Sequence, residues 1–276
     1  MASWNNYEDK GTMDTDRRVT SIKATLHKSV RSINHSLFLL NLKAGFWRAL
    51  KGLDYYRTIE YPVTLAFLNL NKKHRVLDIG SLDSLFPVYL AAESAEAYAV
   101  DISRRVGVIS KISNAYSIDN LNVLIADGKK IPFPDDFFDR ITAISMVEHV
   151  LPIDNGDLKI MKEIIRVLKA GGKAIISVPY ERCFSQEWRN HPDHGAFLRR
   201  GYSETALRTR LVKTTGCSSQ LFYFCDDAHF WKIWYTLLVF LLSPISVIFG
   251  NYFLKLRNVP LHAKGAIIII RKVKQR

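Results

Sequence analysis

The sequence predicts an α/β fold: a doubly wound, mostly parallel sheet with an N-terminal helical cap and an apolar helical insert before the last strand. Three observations carry that expectation. From Arg75 onward, short apolar runs alternate with stretches of helical periodicity, as parallel strands and their crossover helices require. Three successive runs end in an acid, at Asp78, Asp101 and Asp127. Gly80 follows the first of them, and a residue without Cβ allows a tight strand-to-helix turn.

The elements follow in order. Residues 1–11 are polar and acidic and carry no apolar core of a secretory signal, and residues 1–20 read as disordered. Residues 21–74 form the helical cap, with apolar side chains three and four apart at Ile33, Leu37, Leu40, Phe46, Trp47 and Leu50. Pro62 is expected to open a further helix there, because proline suits a first turn. The remaining domain, 75–276, starts with a strand at 75–79 and a helix near 85–92. Strands follow at 97–100, 123–126 and 140–145. An amphipathic helix at 158–169 is expected to stop at Gly171 and Gly172, ahead of a strand at 173–178. Ser203 reads as a helix N-cap, and two more strands fall at 220–224 and 266–270.

Charge is unevenly placed. The chain carries a formal +13; residues 1–75 have 13 basic and 6 acidic side chains, 76–179 have 11 and 14, and 180–276 have 15 and 6. Basic flanks attract polyanions such as anionic lipid, while an ordinary solvated surface is the plainer reading. The three cysteines, Cys183, Cys217 and Cys225, form no C-x-x-C pair, which argues against a disulfide framework or a zinc site.

The strand-end acids are placed for a nucleoside. Ligands of open α/β sheets bind at the carboxyl ends of the strands. Asp101, 21 residues beyond Gly80, is placed to accept bonds from ribose hydroxyls. Asp127, with Gly128 after it, is placed to accept from an adenine amino group. A dinucleotide reading is weaker, because the G-x-G-x-x-G fingerprint is missing.

Together these motifs resemble the class I, type 11, S-adenosylmethionine-dependent methyltransferases. The resemblance spans about residues 75–180. It rests on Val76 to Gly80, on Asp101, Ile102 and Ser103, and on Asp127 running through Ile131, Pro132 and Phe133 to Phe138 and Asp139. It continues through Glu148, His149 and Val150, then Arg166 to Gly172. The resemblance implies a Rossmann-like domain, S-adenosyl-L-methionine as cofactor, and a cofactor site at Asp78, Gly80, Ser81, Asp101, Ile102, Asp127 and Gly128. The family's turn is glycine-rich, whereas Leu82 and Ser84 hold its second and third glycine positions here. That departure puts the tightness of cofactor binding in question.

The family's reaction needs alignment of an already activated methyl group and, for a hydroxyl acceptor, a base. His149 is the first candidate and Glu148 the second; a purely structural role in closing the pocket is the alternative. His191 and His194, in the loop after the fifth strand, are candidates for the acceptor wall or plain loop residues. No third nitrogen or sulfur ligand stands near them, which argues against a metal. The motifs of nucleic-acid methylating enzymes are missing, which argues against nucleic acid as the acceptor.

Residues 233–254 form a 22-residue window without a charge, inside an insert at about 229–258. Trp231, Trp234, Tyr235 and Tyr252 flank it, and Ser243 and Pro244 break its centre. If 266–270 rejoins the sheet, a single membrane crossing is excluded. The alternatives are a hairpin dipping into one leaflet, a buried helical pair, and an oligomer interface. The expected acceptor is a lipid, a lipid-linked molecule or a soluble small molecule; the alternative is a degenerate, non-catalytic methyltransferase fold serving as a membrane interaction module. The expected location is cytoplasmic, with peripheral contact to an anionic membrane surface.

Overall fold

The structure is a computed structural model and describes residues 36–37, 39–46, 56–191, 195–226, 254–260 and 262–273. The 1–20 segment and residues 227–253, most of the apolar insert, lie outside the described residues.

One eight-stranded sheet organises the chain, in the order β3-β2-β1-β4-β5-β10-β8-β9. β1 (Arg75–Ile79), β2 (Glu96–Asp101), β3 (Leu121–Ile125), β4 (Phe138–Ile144) and β5 (Leu168–Pro179) pair in parallel. β10 (Ala263–Arg271) runs antiparallel between β5 and β8 (Ser218–Asp226), and β9 (Leu254–Arg257) pairs antiparallel with β8. The chain winds outward from β1 to β3, then returns to place β4 on the other side of β1. That reversal opens a crevice between the carboxyl ends of β1 and β4.

Alternate residues of each strand feed two cores. Val76, Ala97, Ala99 and Ile175 face α1 (Arg57–Leu68), α2 (Phe86–Glu93) and α3 (Gly107–Ala115). Leu77, Ile79, Ile176 and Ile268 face α4 (Gly156–Val167) and the helical run from Glu204 to Val212. This is the Rossmann-like arrangement that the alternation of strands and helices predicts.

Four expectations change. The helix near Pro62 begins earlier, at Arg57, so Pro62 lies inside it; Glu60 sits in the first turn, where the helix dipole favours an acid. The glycine pair at 171–172 does not stop α4, because Leu168 is already extended. Both glycines lie in β5, Gly171 at φ +83°, where the β4–β5 register slips. A Cβ on Gly172 would stand 2.7 Å from the Lys169 carbonyl oxygen, so the pair serves a bulge rather than a cap. The end of the insert is also sheet: β9 pairs Leu254 with Asp226 and buries Leu256. Finally, the segment after β5 forms an antiparallel hairpin, β6 (Ser185–His191) with β7 (Gly195–Gly201). Among the described residues, no helix is long and apolar enough to cross a membrane.

Candidate active site

The β1–β4 crevice opens into a cavity of about 840 Å³. Its floor is the turn after β1. Asp78 is buried there, accepting bonds from Thr142 Oγ1 at 2.6 Å and Ser81 Oγ at 2.7 Å. Burial pushes its carboxyl up to about 6, against the two hydroxyl bonds that lower it. Gly80 turns the chain at φ +79°, and a Cβ on it would lie 2.5 Å from Met146 Cβ.

Leu82 adopts φ +49°, the left-handed region a glycine would occupy freely. Its backbone N–H donates to Asp101 Oδ2 at 2.8 Å, and the Ser103 N–H donates to Oδ1 at 2.7 Å. The turn thus keeps a glycine-like course despite the leucine, held by the acid that ends β2. Ser84 Oγ accepts from the Phe86 N–H at 3.1 Å and shares a 2.9 Å hydrogen bond with the Tyr61 hydroxyl, tying the turn to α1.

Along the cavity lip, Ile102 is 71% exposed beside Asp101 and offers an apolar plate for a flat base. Asp127 accepts from the Lys129 N–H at 2.9 Å and pairs with Lys129 Nζ at 2.8 Å. Partial burial works to raise its carboxyl, but the Lys129 bonds and charge prevail and hold it below the usual range. Gly128 keeps the wall thin, since a Cβ there would meet Ile160 Cδ1 at 2.8 Å. All seven residues of the expected cofactor site therefore line one cavity. Two acids at successive strand ends, an exposed apolar plate and a glycine turn fit a nucleoside with free hydroxyls.

The remaining walls come from other elements. Leu37, Asn41, Arg57 and Tyr61 come from the N-terminal segment; His149, Val150, Leu151 and Phe197 come from the β4 loop and β7. Sequence reasoning missed the N-terminal contributors. The signal was Glu60, an acid amid the apolar Ile59, Tyr61 and Val63. Glu60 is buried and anchors the helix by accepting from Ser145 Oγ and Ser177 Oγ, each at 2.7 Å.

The two candidate bases are placed differently. His149 lines the cavity with its side chain 40% exposed, Nδ1 2.7 Å from the Leu198 carbonyl oxygen and its ring edge-on to Phe197. A carbonyl only accepts, so Nδ1 carries the proton and a neutral ring leaves Nε2 as the basic nitrogen. Glu148 is 2% exposed and lies behind the wall, Oε1 3.7 Å from His149 Nε2, while Oε2 has no hydrogen-bond partner. Burial raises its carboxyl, opposed mainly by the neighbouring His149. Glu148 therefore reaches the cavity only through His149. His191 ends β6, and His194 lies outside the described residues.

An open α/β sheet with strand-end acids around a carboxyl-edge cavity defines the nucleoside-cofactor class of α/β proteins. Comparison with known proteins narrows this. Residues 77–176 match the family model described as methyltransferase domain. The ubiquinone/menaquinone biosynthesis C-methyltransferase UbiE of Pectobacterium atrosepticum is 31% identical over 119 residues, 41% of this chain and 45% of that protein. The sterol 4-C-methyltransferase strm-1 of Caenorhabditis elegans is 34% identical over 111 residues, 40% of this chain and 32% of that protein. The chain thus spans under half the length of these two relatives. Among solved structures, YcgJ of Bacillus subtilis superposes with a TM-score of 0.53 at 18% identity, covering 77% of this chain and 98% of that one. A Burkholderia thailandensis 1,6-didemethyltoxoflavin-N1-methyltransferase with bound S-adenosylhomocysteine gives 0.51 at 13% identity, covering 78% and 77%. Residues 77–176 are thus a methyltransferase domain, and over them the chain resembles the class I S-adenosylmethionine-dependent methyltransferases, whose cofactor is S-adenosylmethionine.

Proposed function

We propose that this protein transfers a methyl group from S-adenosylmethionine to an oxygen or carbon atom of a lipid or lipid-linked acceptor, working at an anionic, cytoplasmic membrane surface. The observation that carries the reading is the cavity. Its lining joins the three strand-end acids with a histidine whose Nε2 makes no hydrogen bond among the described residues, and with apolar walls. At about 840 Å³ it stands high in the range of roughly 300–1,000 Å³ usual for ligand pockets, room enough for two molecules side by side.

The cofactor supplies an activated methyl on a sulfonium, so the reacting carbon needs no further activation. The chain's residues do the rest. Asp101 and Asp127 hold the nucleoside, and α1, tied down through Glu60, covers the acceptor end and excludes water. His149 Nε2 takes the proton that leaves the acceptor atom, and the Glu148 carboxylate behind it stabilises the resulting imidazolium.

The lipid part of the reading draws on the apolar walls at Leu37, Leu151 and Phe197. It draws also on the uncharged 233–254 window between Lys232 and the basic Lys255 and Arg257. Two relatives carry ubiquinone/menaquinone biosynthesis and sterol in their names, which agrees with an apolar acceptor. The test is incubation with methyl-labelled cofactor and separate lipid and aqueous extracts. Label in the lipid phase is expected; label only in a water-soluble product rejects the lipid acceptor. Vesicle sedimentation tests the surface. Deleting residues 233–253, which spares β9, should release the protein from anionic vesicles; continued binding rejects the insert as the anchor.

A further inference from the structure

Arg200, next to last in β7, is fully buried and forms no ion pair among the described residues. Its guanidinium instead meets four backbone carbonyls within six residues. Nη1 donates to Glu148 at 3.2 Å and Val150 at 2.8 Å; Nη2 donates to Pro152 at 2.9 Å and Ile153 at 2.8 Å. Nε has no partner. Burying a charge without a counter-charge is a costly way to secure a loop, and an apolar side chain of similar size would pack there with less penalty. What the planar fork adds is geometry, since its rigid donors fix several acceptors relative to one another.

The segment so held, residues 148–153, carries His149 and Leu151 of the cavity wall. The same strand touches His149 twice more. The Leu198 carbonyl takes its Nδ1 proton, and Phe197 packs edge-on against its ring at 5.2 Å. The segment is also closed tightly at its far end. The Gly156 N–H donates to the Pro152 carbonyl at 2.8 Å, and a Cβ on Gly156 would stand 2.1 Å from the Val150 oxygen.

We infer that Arg200 is a positioning residue. Through its carbonyl cage, the β6–β7 hairpin sets the orientation of the His149 ring and holds Nδ1 on the Leu198 carbonyl, which leaves Nε2, 3.7 Å from Glu148 Oε1, as the basic nitrogen. This inference rests on the reading of His149 as the base, but its test does not depend on turnover.

The experiment uses the full chain, with Arg200→Met and Arg200→Lys variants. Nitrogen-15 NMR of the imidazole, at a pH where the ring is neutral, reports which nitrogen carries the proton. The His149 signal is identified by its loss in His149→Gln. Wild type should show a protonated Nδ1. Arg200→Met should scramble the two nitrogens, and Arg200→Lys, which keeps a buried cation with fewer and less rigid donors, should restore the pattern in part. S-adenosylhomocysteine affinity, measured by calorimetry, should stay within about twofold of wild type in both, because no cofactor-end acid shares a partner with Arg200. An unchanged His149 pattern in a folded Arg200→Met overturns the inference. If that variant does not fold, Arg200→Lys decides alone: a wild-type pattern overturns the inference and a mixed one supports it. Undiminished methyl transfer in a variant with a shifted His149 pattern would count against His149 as base and leave the positioning role standing.

Discussion

Ser177 donates a 2.7 Å hydrogen bond to Glu60 across 117 residues of sequence. The bond joins the end of β5 to the first turn of α1. The same carboxylate oxygen takes the Ser145 hydroxyl, and the other pairs with Arg57 at 2.7 Å. One buried acid thus fastens the N-terminal helix over the crevice. Glu60→Ala removes the acceptor of two hydroxyls and one partner of Arg57, and should lower unfolding stability by about 2–3 kcal/mol in urea titrations. Glu60→Gln keeps one acceptor oxygen and should lose less. Equal stability of wild type and Glu60→Ala would mean that α1 is held by apolar packing alone.

Gly80 is constrained twice, by φ +79° and by Met146 at 2.5 Å from its would-be Cβ. Gly80→Ala should cost roughly 1–2 kcal/mol from the backbone alone, and more from the clash. The double variant Gly80→Ala, Met146→Gly relieves only the clash, because the nearest clashing atom is the Met146 Cβ, so it should sit above the sum of the single effects. Strict additivity in thermal melts would show that the two residues do not press on each other.

Asp78 gives a pH dependence of definite sign. Its carboxyl moves from an ordinary 3.8 to about 6 in the fold, chiefly through burial. The folded state then holds its proton more tightly than the unfolded state. Its contribution to stability is greatest below the lower value, declines between the two, and is constant above the higher. The decline amounts to about 3 kcal/mol. Asp78→Asn removes the titration. The wild-type minus variant stability difference should therefore fall as pH rises through that window; parallel curves would contradict the assignment.

The legible part of this protein was the strand-end side of its cavity. Strand period and strand-end acids are local signals, so Asp78, Gly80, Asp101 and Asp127 could be read from the residues around them. The acceptor end is built from distant pieces. Glu60 with Ser177, Arg200 with the 148–153 carbonyls, and Phe197 against His149 are contacts between elements, and no local pattern announces them. The misplaced helix stop has the same origin. A glycine pair after a helix is a cap by local rules, yet the sheet takes both glycines for a bulge. Glu148 and His149 adjoin in sequence, and only the fold separates a wall residue from the buried group behind it.

The central claim is that the strand-end acids hold the nucleoside of S-adenosylmethionine, and titration calorimetry with S-adenosylhomocysteine tests it most directly. Wild type should bind one equivalent. Asp101→Ala removes the carboxylate that orders the Leu82 and Ser103 amides and faces the cavity, and should weaken binding by about 2–4 kcal/mol, roughly thirty- to a thousandfold. Absence of binding by the intact protein, with or without anionic vesicles, or affinity unchanged in Asp101→Ala, would contradict the account.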